Sequence, residues 1–275
     1  MKPRTILITG CSSGIGRALA LELQARGLAV WATARRPETL KDLEDRGIRC
    51  AALDVDSPDS IAALAARLDS EGVALDVLVN NAGYGAMGPL AEMPAAELRR
   101  QFDTNVLSLM ALTQALLPPM MRRRSGMVVN LGSVSGVLVT PFSGAYCATK
   151  AAVHALSDAL RMELAPFGIH VMTVQPGAIQ SQFGATATAG IAARGVSAYA
   201  AVADAVMARA GASQQHSTTA EKFARVLADA MLARRPAAQV RIGNGSRAMP
   251  LVKRLVPTGL LDWVLRKKFR LDQPL

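Results

Sequence analysis

A tyrosine and a lysine stand four residues apart in Tyr146-Cys147-Ala148-Thr149-Lys150. In a helix that spacing puts both side chains on one face. An ammonium beside a phenol favours phenolate and draws the phenol down from its reference pKa of about 10. Tyr146 is therefore a candidate to exchange a proton with a substrate oxygen. Ser133, thirteen residues upstream in a Gly-Ser-Val-Ser-Gly segment, is a candidate to hydrogen-bond the same oxygen and hold it for the transfer.

A second constellation lies near the start of the chain, where an apolar run meets Thr9-Gly10-Cys11-Ser12-Ser13-Gly14-Ile15-Gly16 and then a helical pattern. Glycines in such a turn let the backbone approach a pyrophosphate, and the free N–H groups of the following helix hold it. Strand, loop and helix occur in the order a dinucleotide site requires. The end of the next apolar run reads Ala32-Thr33-Ala34-Arg35-Arg36, with no acid before Glu38. An acid there would suit the ribose hydroxyls of NAD, whereas an arginine accommodates a 2′-phosphate. The expected cofactor is NADP(H), with Arg35 as its main phosphate partner and Ser12, Ser13 and Arg36 as helpers; the alternative is that the two arginines merely decorate a solvated loop.

These groups need a scaffold. Short apolar runs at Ile6–Ile8, Ala29–Ala32, Ala51–Leu53, Val77–Val79, Met127–Asn130 and His170–Val174 alternate with helical periodicity in Arg17–Arg26, Asp59–Leu68, Ala95–Leu117 and Ala148–Leu164. Alternation of this kind predicts an α/β fold, a Rossmann-type doubly wound parallel sheet flanked by helices. After Gly184 the sequence turns to Ala, Thr, Gly and Ser as far as about Thr218, with a weak helix over Ala198–Ala210. Such an excursion is either a lid over a substrate pocket or an exposed insertion. A helix over Ala220–Ala233 and a last strand over Ala238–Ile242 follow. The expected organisation is one oxidoreductase domain over 1–245, with its lid at about 184–218, and a basic helical extension over 246–275.

Taken in order, the Thr9 to Gly16 loop, Asp54-Val55, Asn80-Asn81-Ala82-Gly83, Thr104-Asn105-Val106, Ser133, Tyr146 with Lys150, and Pro176-Gly177 resemble the short-chain dehydrogenase/reductase family. The opening Ile-Thr-Gly-Cys-Ser-Ser-Gly-Ile-Gly and Ala-Thr-Ala-Arg-Arg are similar to its 17β-hydroxysteroid and retinol dehydrogenase branch. That resemblance implies Tyr146 as general acid or base, Lys150 lowering its pKa and holding the nicotinamide ribose, Ser133 positioning the carbonyl or alcohol, and Asn105 holding a water in a proton relay. It also implies that Asp54 and Val55 contact adenine, that Asn81, Ala82 and Gly83 border the cofactor, and that Pro176, Gly177, Ile179 and Ser181 meet its nicotinamide end. A hydrophobic alcohol or ketone as substrate, and a homodimer or homotetramer, are implied likewise. A non-catalytic dinucleotide sensor, or a membrane-associated binding protein on the same fold, is the alternative.

Composition narrows the partners. Of 275 residues, 51% are hydrophobic and 19% charged, enough to bury a core and against global disorder. The net charge of +10 favours anionic partners, but aromatics at 4% poorly supply the stacking platforms of a single-strand nucleic-acid binder, so no nucleic-acid partner is expected. Residues 247–275 hold seven Lys and Arg against two Asp, a local +5. Leu251 to Val256 and Leu260 to Arg270 can each separate apolar residues from cations, as a helix lying on an anionic membrane does; the alternative is an arm packed on its own subunit or a neighbour. Cys11, Cys50 and Cys147 lack disulfide or zinc spacing, and Cys11 and Cys147 read as small packing residues. His154, His170 and His216 have no metal spacing and no assigned role. No signal-peptide core and no spanning stretch of about 18–20 apolar residues is present, so a cytoplasmic protein, with membrane-surface contact as an option, is expected.

Overall fold

The computed structural model describes residues 4–274; residues 1–3 and 275 of the two expected segments lie outside that range. The first half runs β1 (Thr5–Ile8), α1 (Gly14–Ala25), β2 (Ala29–Ala34), α2 (Lys41–Glu44), β3 (Arg49–Ala52), α3 (Pro58–Ser70) and β4 (Leu75–Asn80). Next come α4 (Ala95–Phe102), α5 (Ser108–Arg123), β5 (Gly126–Leu131), α6 (Gly144–Leu164) and β6 (Ile169–Pro176). The remainder is α7 (Phe183–Arg194), α8 (Ala203–Gly211), α9 (Ala220–Leu232), β7 (Gln239–Ile242), α10 (Ala248–Leu255) and α11 (Thr258–Lys268).

The seven strands form one sheet in the order β3-β2-β1-β4-β5-β6-β7, with every pairing parallel. Successive strand residues face opposite sides, so each strand feeds two cores. Ile6 and Ile8 of β1 join Val79, Val129 and Val174 under α1 and α9. Leu7, between them, joins Leu78, Val128 and Val171 on the other face, under α3, α5 and α6. Continuous apolar runs are what a sheet buried on both faces demands. Helix starts are also written locally: Pro58 occupies the first turn of α3 while Ser57 Oγ accepts from Ser60 N–H at 3.2 Å, and Thr219 Oγ1 caps α9 through Lys222 N–H at 3.2 Å.

The expected helix over Ala95–Leu117 is instead two helices joined by a π turn at Asp103–Leu107. Apolar periodicity misses this because the extra residue of a π turn shifts phase without adding a polar break. The 184–218 segment is more ordered than its composition suggests. Helix α7 was not expected from Phe183-Gly-Ala-Thr-Ala-Thr-Ala-Gly, whose small residues give little contrast between faces, yet Ala187 and Ile191 bury into a third core with Val202 and Val206. The expected weak helix at Ala198–Ala210 is α8, beginning later at Ala203.

Phe269, just after α11, completes that third core. Its ring meets Phe142 edge-on at 5.8 Å between centroids, and Phe142 meets Tyr199 in the same way at 5.8 Å. Arg270 pairs with Asp204 at the start of α8. The basic extension therefore folds back onto the 184–218 segment of its own chain. No helix among the described residues is long and apolar enough to cross a membrane.

Candidate active site

In this strand order the connections after β1 and β4 depart in opposite directions and leave a crevice at the carboxyl ends of the strands. A cavity of about 770 Å³ occupies it and extends under the lid. Its floor is the turn after β1. Gly10 takes φ +72°, and a Cβ there would stand 3.0 Å from Ala82 Cα; a Cβ on Gly16 would stand 2.5 Å from the Gly10 carbonyl oxygen. Only glycine allows this packing. Asn81 Nδ2 donates to the carbonyls of Thr9 at 2.8 Å and Gly10 at 3.1 Å, and Thr9 Oγ1 accepts from Ala82 N–H at 2.9 Å. The loops after β1 and β4 are thus laced together before any ligand arrives.

The residues present suit a phosphorylated dinucleotide. Gly10, Ser12, Ser13, Gly14 and Ile15 line the cavity, and Ser13 begins α1 without spending its hydroxyl on a cap, in a first turn that carries no acid. Arg35 follows directly on β2, is exposed, lines the cavity and forms no ion pair among the described residues. Asp54 and Val55 line the wall beyond it. Asn81, Ala82 and Gly83 border the centre, and Pro176, Gly177, Ile179 and Ser181 close the far side. Arg36 and Gly16 do not reach the wall: Arg36 is exposed outside it, and Gly16 serves the close packing of the turn.

The candidate proton-handling groups come from the end of β5 and from α6. Ser133 and Lys150 are buried, and Tyr146 is half-buried with its ring against Phe183 of the lid at 5.0 Å between centroids. All three line the cavity. Lys150 Nζ donates to the Leu131 carbonyl at 2.6 Å and lies 5.8 Å from the Tyr146 ring centroid. Burial pushes Tyr146 up to about 12, against the pull of Ser133 and of Arg209. Burial also brings Lys150 down to about 8. Spacing predicts a phenol lowered by its lysine; in the protein without cofactor, enclosure outweighs every opposing influence and the phenol keeps its proton.

Asn105 sits in the π turn and its side chain is buried away from the cavity. Its carboxamide accepts from Tyr84 N–H at 3.0 Å and donates to the Tyr84 carbonyl at 2.9 Å and to Thr149 Oγ1 at 3.2 Å. That side chain ties the loop after β4 to α6 one residue before Lys150; the water-holding role expected of Asn105 belongs to the proposed mechanism.

His154, given no role from sequence, proves to be structural to the site. Its Nε2 accepts the Ser133 backbone N–H at 3.3 Å, and a Cβ on Gly132 or Gly136 would stand 2.4 or 2.7 Å from the imidazole. Position 154 lies on the helix face of Tyr146 and Lys150, eight and four residues along respectively, which was the available signal. Gln214 was also missed: it accepts from Ser181 N–H at 3.0 Å and so ties the end of the 184–218 segment to the cavity wall at Ser181. Cys11 and Cys147 are buried, and burial pushes the Cys11 thiol up to about 12, away from nucleophilic character. His170 and His216 stand apart from the cavity.

The family model described as short chain dehydrogenase matches residues 4–192. The chain is 41% identical over 185 residues to the uncharacterized oxidoreductase YbbO of Escherichia coli K12, an alignment covering 66% of this chain and 67% of YbbO. It is 38% identical over 191 residues to retinol dehydrogenase 8 and 38% identical over 193 residues to 17-beta-hydroxysteroid dehydrogenase type 1, both of Homo sapiens. Those alignments cover 66% of this chain, and 60% and 59% of the human proteins. Among solved structures, a short-chain dehydrogenase from Streptomyces avermitilis is 34% identical, with a TM-score of 0.79 over 96% of this chain and 95% of that one. A short-chain dehydrogenase from Sphingobium yanoikuyae in complex with NADPH is also 34% identical, with a TM-score of 0.62 over 67% of this chain and 75% of that one.

Proposed function

The chain belongs to the short-chain dehydrogenase/reductase family, and from that premise we propose that it interconverts a carbonyl and an alcohol on a hydrophobic substrate, using NADP(H) and Tyr146 as the proton-transferring group. The observation that carries this reading is the convergence of Ser133, Tyr146 and Lys150 on one cavity that also runs to Arg35. The NADPH-bound relative and the absence of an acid after β2 support the 2′-phosphorylated cofactor. Met87, Phe183, Leu265 and Phe269 on the cavity wall supply the apolar surface for the substrate, and the retinol and hydroxysteroid dehydrogenase relatives favour the same class.

When bound, the dinucleotide supplies or accepts the hydride at the substrate carbon. Ser133 Oγ and the Tyr146 hydroxyl hold the substrate oxygen. In reduction the protonated phenol gives its proton to that oxygen; in oxidation the phenolate takes it back. Lys150, brought to about 8 by burial, is matched to gain and lose a proton near neutral pH and so to replenish the phenol. Phe183 and the lid shield these groups from bulk water.

A second element of the reading concerns the extension. Leu251, Leu255, Leu260 and Trp263 remain exposed on α10 and α11 beside Lys253, Arg254, Arg266 and Lys267. Met249, Leu265 and Lys268 of the same helices line the cavity. These helices suit peripheral contact with an anionic membrane, from which a lipophilic substrate enters. The proposed activity is tested by screening hydrophobic ketones and alcohols against changes in NADPH absorbance. Turnover of at least one such compound is expected, and an inert panel with cofactor demonstrably bound would favour the dinucleotide-sensor alternative.

A further inference from the structure

Arg209, on the lid helix α8, is a cation in the cavity that the proposed chemistry does not use. Its Nε donates to Thr140 Oγ1 at 2.6 Å, and no carboxylate pairs with it among the described residues. With Nε committed to Thr140, the two terminal nitrogens of the guanidinium keep the fork geometry that grips a planar oxyanion through paired hydrogen bonds. The acids on the cavity wall, Asp54 and Asp56, both follow β3 at the opposite, adenine end. Lys268 also lines the cavity, and Leu265, Phe269 and Phe183 of its wall pack in the same core as Val206 and Ala210 of α8. Burial lowers the Arg209 pKa, while the Cys147 thiol and Tyr146 phenol raise it. A half-buried guanidinium facing a cavity without a counter-ion is costly to the fold, and its bond to Thr140 uses only Nε.

Resting on the activity proposed above, we infer that the substrate carries a carboxylate at the end of an apolar body, and that Arg209 binds this carboxylate so that the carbonyl or alcohol meets Ser133 and Tyr146. The apolar lining takes the body of the molecule. Because Arg209 belongs to the lid, carboxylate binding also ties α8 down over the reacting groups, coupling substrate recognition to closure.

The probes are γ-oxo acids from hexanoic to dodecanoic length and their methyl esters, titrated calorimetrically into the NADP-loaded full chain. The acids are expected to bind at least about tenfold more tightly than the esters. Arg209→Met should erase the preference and Arg209→Lys should retain part of it, with thermal unfolding showing that both variants fold. Equal or undetectable binding of acid and ester to the unsubstituted protein, or a preference that survives Arg209→Met, overturns the inference. The two readings fail separately: a protein that binds the acids through Arg209 but turns over no ketone contradicts the activity and leaves the carboxylate site standing. Turnover of neutral ketones with no acid preference does the reverse.

Discussion

The backbone N–H of Ser133 donates to Nε2 of His154 at 3.3 Å, so the loop carrying Ser133 into the cavity rests on an imidazole that must be neutral to accept. Burial, with Lys150 nearby, pushes His154 down to about 4 from 6.5. The unfolded chain protonates at the higher value and the folded chain at the lower, so the fold loses stability as pH falls between them. That loss amounts to no more than roughly 3 kcal/mol, levelling off below the folded value. Urea unfolding at pH 7 and pH 4.5 should show this slope flattened in His154→Gln, and an identical acid slope in the variant would contradict the assignment.

Lys150 contributes with the same sign, in a higher pH window. Its ammonium is buried on the Leu131 carbonyl and brought from 10.5 to about 8. Below the folded value the protein carries the full cost of enclosing a charge, and the cost fades as pH rises toward the unfolded value, where both states are neutral. Lys150→Met should therefore be more stable at pH 7 by up to roughly 3 kcal/mol, with the advantage shrinking toward pH 10. The same substitution should abolish turnover. Denaturant midpoints across this range check the sign; a destabilised variant at pH 7 would show that Lys150 supports the fold.

Arg35 is exposed at the end of β2 with no ion-pair partner among the described residues. A guanidinium on a 2′-phosphate is a charge-assisted contact, so Arg35→Ala should weaken NADPH binding roughly 10- to 100-fold and leave NADH binding nearly unchanged. Fluorescence titration of both dinucleotides decides this. Equal affinities in the unsubstituted protein would count against the phosphate site.

The extension makes a further prediction. Leu255 is 68% exposed and Trp263 is 55% exposed, with Lys267 Nζ lying 4.8 Å from the Trp263 ring centroid. Co-sedimentation with phosphatidylserine vesicles should recover the protein, whereas vesicles of phosphatidylcholine alone should not. A Leu255→Asp, Trp263→Asp variant should stay in solution. An absence of binding to the anionic vesicles removes the membrane contact and leaves α10 and α11 as a cover for the lid.

Sequence legibility followed the range of the interactions involved. Short apolar runs announced the five inner strands, because a strand buried on both faces needs little more than continuous hydrophobicity, and the partly exposed edge strands β3 and β7 were read from shorter, weaker runs. The Gly10 turn, Arg35, Ser133, Tyr146 and Lys150 were legible because local spacing or position after a strand carries their chemistry. What escaped depended on distant partners. Phe269 buries only because Phe142 and the lid core are there to receive it, and Arg209 approaches Tyr146 through a helix whose position no spacing encodes. The Asn105 side chain turns from the cavity to Tyr84 and Thr149 because of a π turn invisible to periodicity. His154 was one helical repeat beyond Lys150, but its partner is a backbone N–H from β5's following loop, and backbone donors leave no mark in a sequence.

Tyr146→Phe isolates the proton transfer at Tyr146, because the ring, its packing on Phe183 and the cavity lining persist while the hydroxyl is removed. Single-turnover reduction of an active ketone should slow by about 10²- to 10⁴-fold with NADPH affinity unchanged. A variant that binds NADPH normally and reduces the same ketone at the unsubstituted rate would contradict the account.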